Sequence, residues 1–272
     1  MYDCHAMTPA HPARLEPWIR SLQAQGRLTF TLDEVDRALG GTRVAHQSAI
    51  RRLKERGLLA SPRRGFYVVV PPEYDELGAP PASWFVDDLM GVVGRPYYVA
   101  LLSAAALHGA AHHQPQAFQV MTDGVLAPTS AGRVHLVFFR KRHLEATPTV
   151  RMNTPTGTMC VATPEATVFD LVRHVGACGG IDNVATVLAE LADALDPQAL
   201  GDAAALAHLT EVQRAGYLLE QVDRPDRADV LAQQLEGRRV PATALRPDAP
   251  IDGAPRVDRW RLLVNAVVEP DL

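Results

Sequence analysis

The residues of this sequence with the clearest chemical potential are Gln47, Ser48, Arg51 and Arg52, followed a short way on by Arg63 and Arg64. Amides, hydroxyls and guanidinium groups are the side chains that hydrogen-bond base edges and phosphate oxygens in a DNA groove. They fall in the stretch TRVAHQSAIRRLKERGLLASPRRGFYVVV, from Thr42 to Val70. Ala45, Ala49, Ile50 and Leu53 recur at spacings of three and four, which predicts a helix with those four packed inward. Val44, Gln47, Ser48, Arg51 and Arg52 then lie on the opposite side, with Lys54 and Arg56 extending the positive charge. Thr42 is placed to cap the helix and Gly57 follows its end. Leu58 to Ala60 and Phe66 to Val70 are apolar runs separated by Ser61, Pro62, Arg63, Arg64 and Gly65, a pattern that predicts a β-hairpin with two cations at its tip. Helix, glycine turn and basic hairpin together read as the DNA-reading end of a winged helix-turn-helix, the alternative being a small helix-hairpin unit whose arginines are merely solvated. The expected DNA contacts are Thr42, Arg43, Gln47, Ser48, Arg51, Arg52, Lys54, Arg63 and Arg64.

Other chemistries find less support. His108 and His112 are one helical turn apart, with His113 adjacent, but Gly109, Ala110 and Ala111 between them supply no glutamate base of the HExxH kind, so no metal is expected. Glu165 and Asp170, five residues apart on one expected helix, stand about 140 degrees apart around it and do not converge on one ion. Glu165 is expected to face the positive end of that helix. Cys4, Cys160 and Cys178 form no CxxC pair and suggest neither a disulfide framework nor a zinc site, so Cys160 and Cys178 are read as core thiols. The two lysines, Lys54 and Lys141, have no acidic neighbours spaced as in a nuclease, and no Walker-type or GxGxxG loop follows a strand. No catalytic residue and no cofactor are expected. Arg140, Lys141, Arg142 and His143 close an expected strand with a positive cluster, either an exposed strand end or a secondary contact for DNA or an acidic partner.

These residues need a scaffold, and 272 residues suffice for two domains with real cores. Residues 1 to 70 carry eleven Lys plus Arg against six Asp plus Glu, a balance of +5 within a chain whose net charge is -4. The basic part is thus the part with the DNA-reading pattern, as attraction to a phosphate backbone requires. Residues up to Pro12 read as a loose tail. Leu15, Trp18, Ile19 and Leu22 form the stripe of a first helix, stopped by Gly26. In TLDEVDRALG, Thr31 and Glu34 form a capping-box pair ahead of Leu32, Val35 and Leu39, and Gly40 with Gly41 makes the turn into the reading helix.

Beyond it, PPEYDELGAPP forms neither a long helix nor a central strand and reads as a linker. SWFVDDLMGVV and PYYVALLSAAALHGAAHH read as helices, while FQVMT, VHLVFF and MCVA read as strands. Thr163 caps a helix that has Pro164 at its first position. Further helices are expected over Ile181 to Ala194, Pro197 to Ala207 and Leu209 to Val222, with WRLLVNAVV as a final strand. The expected fold class is α+β. A winged helix-turn-helix domain spans 1–72, a linker and connecting helix 73–96, and a mixed α/β C-terminal domain 97–272. With no signal segment or long apolar run, a cytoplasmic bacterial protein with no membrane partner is expected.

The winged module ending in RLKERGLLASPRRGFYVV, then YYVALLSAAALHG, VHLVFFRKR, MCVATPEATVFDLV, and finally RAGYLLEQV with WRLLVN together resemble the AbiEi family, antitoxins of bacterial type IV toxin-antitoxin pairs. The resemblance implies a non-enzymatic repressor whose winged domain binds inverted repeats in its own promoter as double-stranded DNA. It also implies a C-terminal domain that counters a nucleotidyltransferase-like toxin without a stable complex. Carried over by position, Gln47, Ser48, Arg51 and Arg52 would read bases and phosphates, and Arg63 and Arg64 would be the wing contacts. Two other readings stay open: a winged-helix regulator whose second domain senses a ligand, and an enzyme such as a nuclease or a kinase acting on a toxin.

Overall fold

The computed structural model describes residues 14–110 and 115–271 and divides the chain into two compact units. The first comprises the chain up to Gly94 together with Pro128–Leu136 and Asn153–Thr158; the second comprises Arg95–Ala127, Val137–Met152 and Met159–Leu272. The expected N-terminal tail lies outside the described residues.

The first unit begins with α1 (Leu15–Ala24), whose Leu15, Trp18, Ile19 and Leu22 are buried as their spacing predicts. A short strand β1 (Thr29–Thr31) runs directly into α2 (Leu32–Leu39). The capping box is present: the Thr31 N–H donates to Glu34 Oε2 at 2.7 Å, and the Glu34 N–H donates to Thr31 Oγ1 at 3.2 Å. Gly40 and Gly41, at φ of +61° and +88°, turn the chain into α3 (Arg43–Glu55). Gly57, at φ +74°, ends it. The hairpin follows as β2 (Leu59–Arg63) and β3 (Phe66–Val69), with Arg63 opposite Phe66, so that Arg64 and Gly65 form the two-residue tip. β1 pairs antiparallel with β3, giving the sheet order β1-β3-β2. One core joins α1, β1, α2, α3 and the hairpin through Trp18, Phe30, Val35, Ile50, Leu53 and Leu59.

One inward residue of α3 differs from expectation. Ala45 is exposed, and its place toward the core is taken by His46, whose ring nitrogens bond Asp36 Oδ1 at 2.6 Å and the Gly40 carbonyl at 2.7 Å. A polar ring can be buried there because both of its nitrogens find partners on α2 and the glycine turn.

The proline-rich stretch forms short 3-10 turns over Pro72–Leu77 and Ala82–Trp84, then α4 (Val86–Val93). It counts with the first unit, and Ala79, Ala82, Phe85, Val86, Leu89 and Met90 are buried. The Thr29 hydroxyl donates to Asp88 and so ties β1 to α4.

Next come β4 (Tyr97–Val99), α5 (Leu101–Leu107), β5 (Phe118–Thr122), β6 (Thr129–Ala131), β7 (Val134–Arg140), β8 (Thr149–Thr154) and β9 (Gly157–Ala162). They make a six-stranded sheet of order β6-β7-β5-β4-β9-β8, in which β4 runs parallel to β9 and antiparallel to β5. Tyr97–Val99, expected at the start of a helix, is thus a strand; aromatic and β-branched residues favour that state, and the chain switches to helix at Leu101, held at φ +53°. Within the first unit, β6 pairs with the start of β7, and the Thr129 hydroxyl donates to the Pro62 carbonyl in β2.

In the second unit, α6 (Pro164–Arg173) is buried over Glu165 to Val172 and packs among α5 and three later helices: α7 (Ile181–Leu191), α8 (Pro197–Leu206) and α9 (Leu209–Gln221). A further helix not anticipated from the sequence, α10 (Pro225–Gln233), packs on α8 and α9. The chain closes in a small sheet of β10 (Thr243–Ala244), β11 (Arg256–Val257) and β12 (Leu262–Leu263). Of the expected final strand WRLLVNAVV only the two leucines of β12 pair, while Trp260 turns into the core. Among the described residues no helix is long and apolar enough to cross a membrane.

Candidate nucleic-acid interface

α3 places Val44, Gln47, Ser48 and Arg51 at i, i+3, i+4 and i+7, one row along the helix. Val44 is 71% exposed and the Arg51 side chain 75%, and Gln47 is exposed beside them, while Ser48 is half-buried, so the row opens to solvent at Val44, Gln47 and Arg51. Arg51 meets Glu55 only loosely, at 3.7 Å between two exposed groups. Gln47, Arg51 and Lys54 line a concavity of about 510 Å³ together with Ser61, Arg64 and Tyr67 of the hairpin. α3 and the basic strand tip therefore share one open surface inside a single unit. Val44 adds an exposed apolar group at the start of the row.

The other expected contacts are divided. Arg52 faces round the helix toward Arg14, Arg20 and Arg56, on the side where α1 packs. Arg56 there is paired with Glu16 at 2.8 Å. Thr42 acts as the helix cap, its hydroxyl accepting from the Ala45 N–H at 3.3 Å. Arg43 is engaged within the unit, its guanidinium 2.7 Å from Asp33 and 2.5 Å from Asp36. Arg63 sits half-buried at the end of β2, whereas Arg64 is exposed. Gly65, at φ +80°, supplies the left-handed residue that closes so tight a tip. Tyr67 and Ser61 were not singled out in the sequence; their alternation in and out of the hairpin is the signal that would have found them.

The second unit gathers a different set of charges. Arg140, Lys141, Arg142 and His143 all line a cavity of about 460 Å³, joined by Arg173 of α6 and His208 and Glu211 at the start of α9. Lys141 Nζ donates to Asp170 Oδ1 at 2.8 Å, and Tyr98 Oη donates to the other oxygen at 2.9 Å. Asp170 is distant from Lys141 in sequence, and the packing of α6 beside β4 and the end of β7 brings this one carboxylate to it, a pairing that sequence spacing does not show. Burial, and then the Asp170 charge, push the Tyr98 phenol far above its ordinary range.

Glu165 and Asp170 go to separate partners. The Asp196 N–H donates to Glu165 Oε1 at 3.0 Å, so Glu165 holds the start of α8 rather than only facing its own helix end. His108 Nε2 bonds the Ala162 carbonyl at 2.7 Å, while His112 and His113 of the metal hypothesis lie outside the described residues. Among the described residues no cluster of His, Cys, Asp and Glu is arranged to hold a metal ion. Cys178 is buried, which pushes its thiol up to about 12, and Cys160 is half-buried; Cys4 lies outside the described residues.

Residues 98–221 match the family model of the AbiEi antitoxin C-terminal domain. The crystal structure of the RV2827C protein from Mycobacterium tuberculosis is similar over 94% of this chain and 94% of its own, with a TM-score of 0.63 and 18% sequence identity. At that identity the likeness is one of fold. No protein of curated function matches the chain.

Proposed function

This chain carries an AbiEi antitoxin C-terminal domain over residues 98–221, and from that premise we propose that it is a type IV antitoxin that also represses its own promoter. In this reading the first unit is a winged helix-turn-helix. α3 lies in the major groove, with Gln47, Ser48 and Arg51 at base edges and Val44 beside them. Arg52 and Lys54 meet flanking phosphates, and Arg63 at the end of β2 and Arg64 at the hairpin tip hold the backbone next to the groove. Thr42 and Arg43 contribute by fixing the helix start. The second unit counters a nucleotidyltransferase-like toxin without forming a stable complex, and the protein is not itself an enzyme.

The observation that carries the DNA half is the exposed row on α3 opening onto the same concavity as Arg64. The sign of the charge agrees, since the first 70 residues are net basic and the rest of the chain is acidic. The antitoxin half rests on the family match. Co-expression with the neighbouring toxin gene tests it: growth is expected to be rescued by the full chain, and an arrested culture would remove the antitoxin role.

The wing has its own test. Replacing Arg63 and Arg64 together with alanine is expected to weaken binding to every duplex alike. It should also lower the slope of log affinity against log salt by about 1 to 2, since each lost phosphate contact accounts for roughly 0.9. Fluorescence anisotropy between about 50 and 200 mM salt reads this slope. An unchanged slope would take the hairpin out of the interface.

A further inference from the structure

The cavity of the second unit is built in a way that a solvated strand end does not require. In an extended strand successive side chains point to opposite faces. Here four consecutive residues, Arg140 to His143, line one cavity, because β7 ends at Arg140 and His143 is held in the left-handed region at φ +53°. Two buried carboxylates then fix two cations at the wall. Asp170, 1% exposed, holds Lys141. Glu211, 9% exposed at its side chain, takes Arg173 Nη1 at 3.2 Å with one oxygen and the His208 N–H at 3.1 Å with the other. Removing two carboxylates from water is costly and is offset only where good partners are supplied. Arg140 and Arg142 stand beside these anchored cations, exposed, and no carboxylate among the described residues pairs with either. Apart from Thr147, the remaining wall is apolar, with Phe169, Ala166, Ala203, Leu206 and Pro148 among its residues.

Uncompensated arginines, anchored cations and an apolar wall around about 460 Å³ match a ligand with an anionic end and a flat hydrophobic body. We propose that the second unit binds a nucleoside polyphosphate in this cavity. Its phosphates meet Arg140, Arg142 and Arg173, and its base lies against Phe169 and Leu206. Recognition is by side-chain cations and not by a glycine-rich loop, which is why no phosphate-loop motif marks it.

Isothermal titration of the full chain with ATP, GTP, CTP and UTP, and separately with inorganic triphosphate, tests this. At least one nucleotide is expected to bind saturably and more tightly than inorganic triphosphate. Arg140→Glu with Arg142→Glu, both exposed positions, should weaken that binding by more than tenfold while leaving promoter-duplex affinity and thermal melting unchanged. Several results would overturn the proposal: no saturable binding at millimolar nucleotide, binding indifferent to the double substitution, or inorganic triphosphate binding as tightly as every nucleotide. A loss of duplex affinity in the double variant without nucleotide binding would instead assign the cluster to DNA.

Discussion

Phe30→Ala is expected to destabilise the first unit by about 3 to 5 kcal/mol, the range for removing a buried phenylalanine, and with it to remove DNA binding. Phe30 is 1% exposed and stands at the middle of the core that α1, β1, α3 and the hairpin share. Its ring meets Trp18 edge-on at 5.3 Å between centroids and lies tilted against Tyr67 at 5.4 Å. Tyr67 also borders the concavity that Gln47, Arg51 and Arg64 open onto. The void left by alanine therefore falls directly behind the proposed reading surface. Thermal melting should drop by on the order of 10 °C, with promoter binding lost at temperatures where the native chain still binds. Phe30→Leu, which keeps most of the volume, should retain both. A melting curve for the alanine variant that overlays the native one would show that this core does not hold the surface together.

A second large effect is expected in the other unit. A Cβ added at Gly216 of α9 would lie 2.0 Å from the six-membered ring of Trp260. Trp260 is completely buried, and its indole N–H donates to Glu220 Oε2 at 2.5 Å, so the ring has little freedom to retreat. Gly216→Val must push the indole out or bend α9. Displacing a tryptophan from a core costs about 3 to 5 kcal/mol, more than ordinary overpacking. Trp260→Leu alone should destabilise through the cavity it leaves. The two changes together should do less harm than their sum, because each relieves the other, and a double-mutant cycle in urea measures that coupling. Strict additivity would contradict the contact.

That contact joins RAGYLLEQV to WRLLVN: Gly216 of one is the seat for Trp260 of the other. Spacing alone gave no reason for the glycine. The first unit was far more legible, because its determinants are local. The apolar stripes of α1 and α3, the Thr31–Glu34 box and the Arg64–Gly65 tip each act over fewer than about ten residues, within reach of helix and turn periodicity. His46 escaped because a histidine on an inward face is recognisable only once Asp36 and the Gly40 carbonyl are placed beside it.

In the second unit the missed strands lacked a periodic signature. β8 is exposed over most of its length and so shows no apolar alternation, and β10 to β12 are two residues each. The cationic cavity was visible only as a run of charge. Its anchors, Asp170, Arg173 and Glu211, come from helices about 30 to 70 residues further along, and pairings at that separation are set by packing, which no local pattern encodes.

The division of the expected DNA contacts teaches the same lesson on a smaller scale. Arg43, Arg51 and Arg52 are equivalent as letters. Asp33 and Asp36 on α2 engage the first, the face toward α1 takes the third, and Arg51 is left with Gln47 on the open row.

Whether the exposed α3 row reads sequence is decided by the affinity of the native chain and of Arg51→Ala for the promoter inverted repeat and for a scrambled duplex at one fixed salt concentration. A loss of about 1 to 3 kcal/mol on the promoter with a clearly smaller loss on the scrambled duplex is the expected result. Equal affinities of native and variant protein for both duplexes would contradict it.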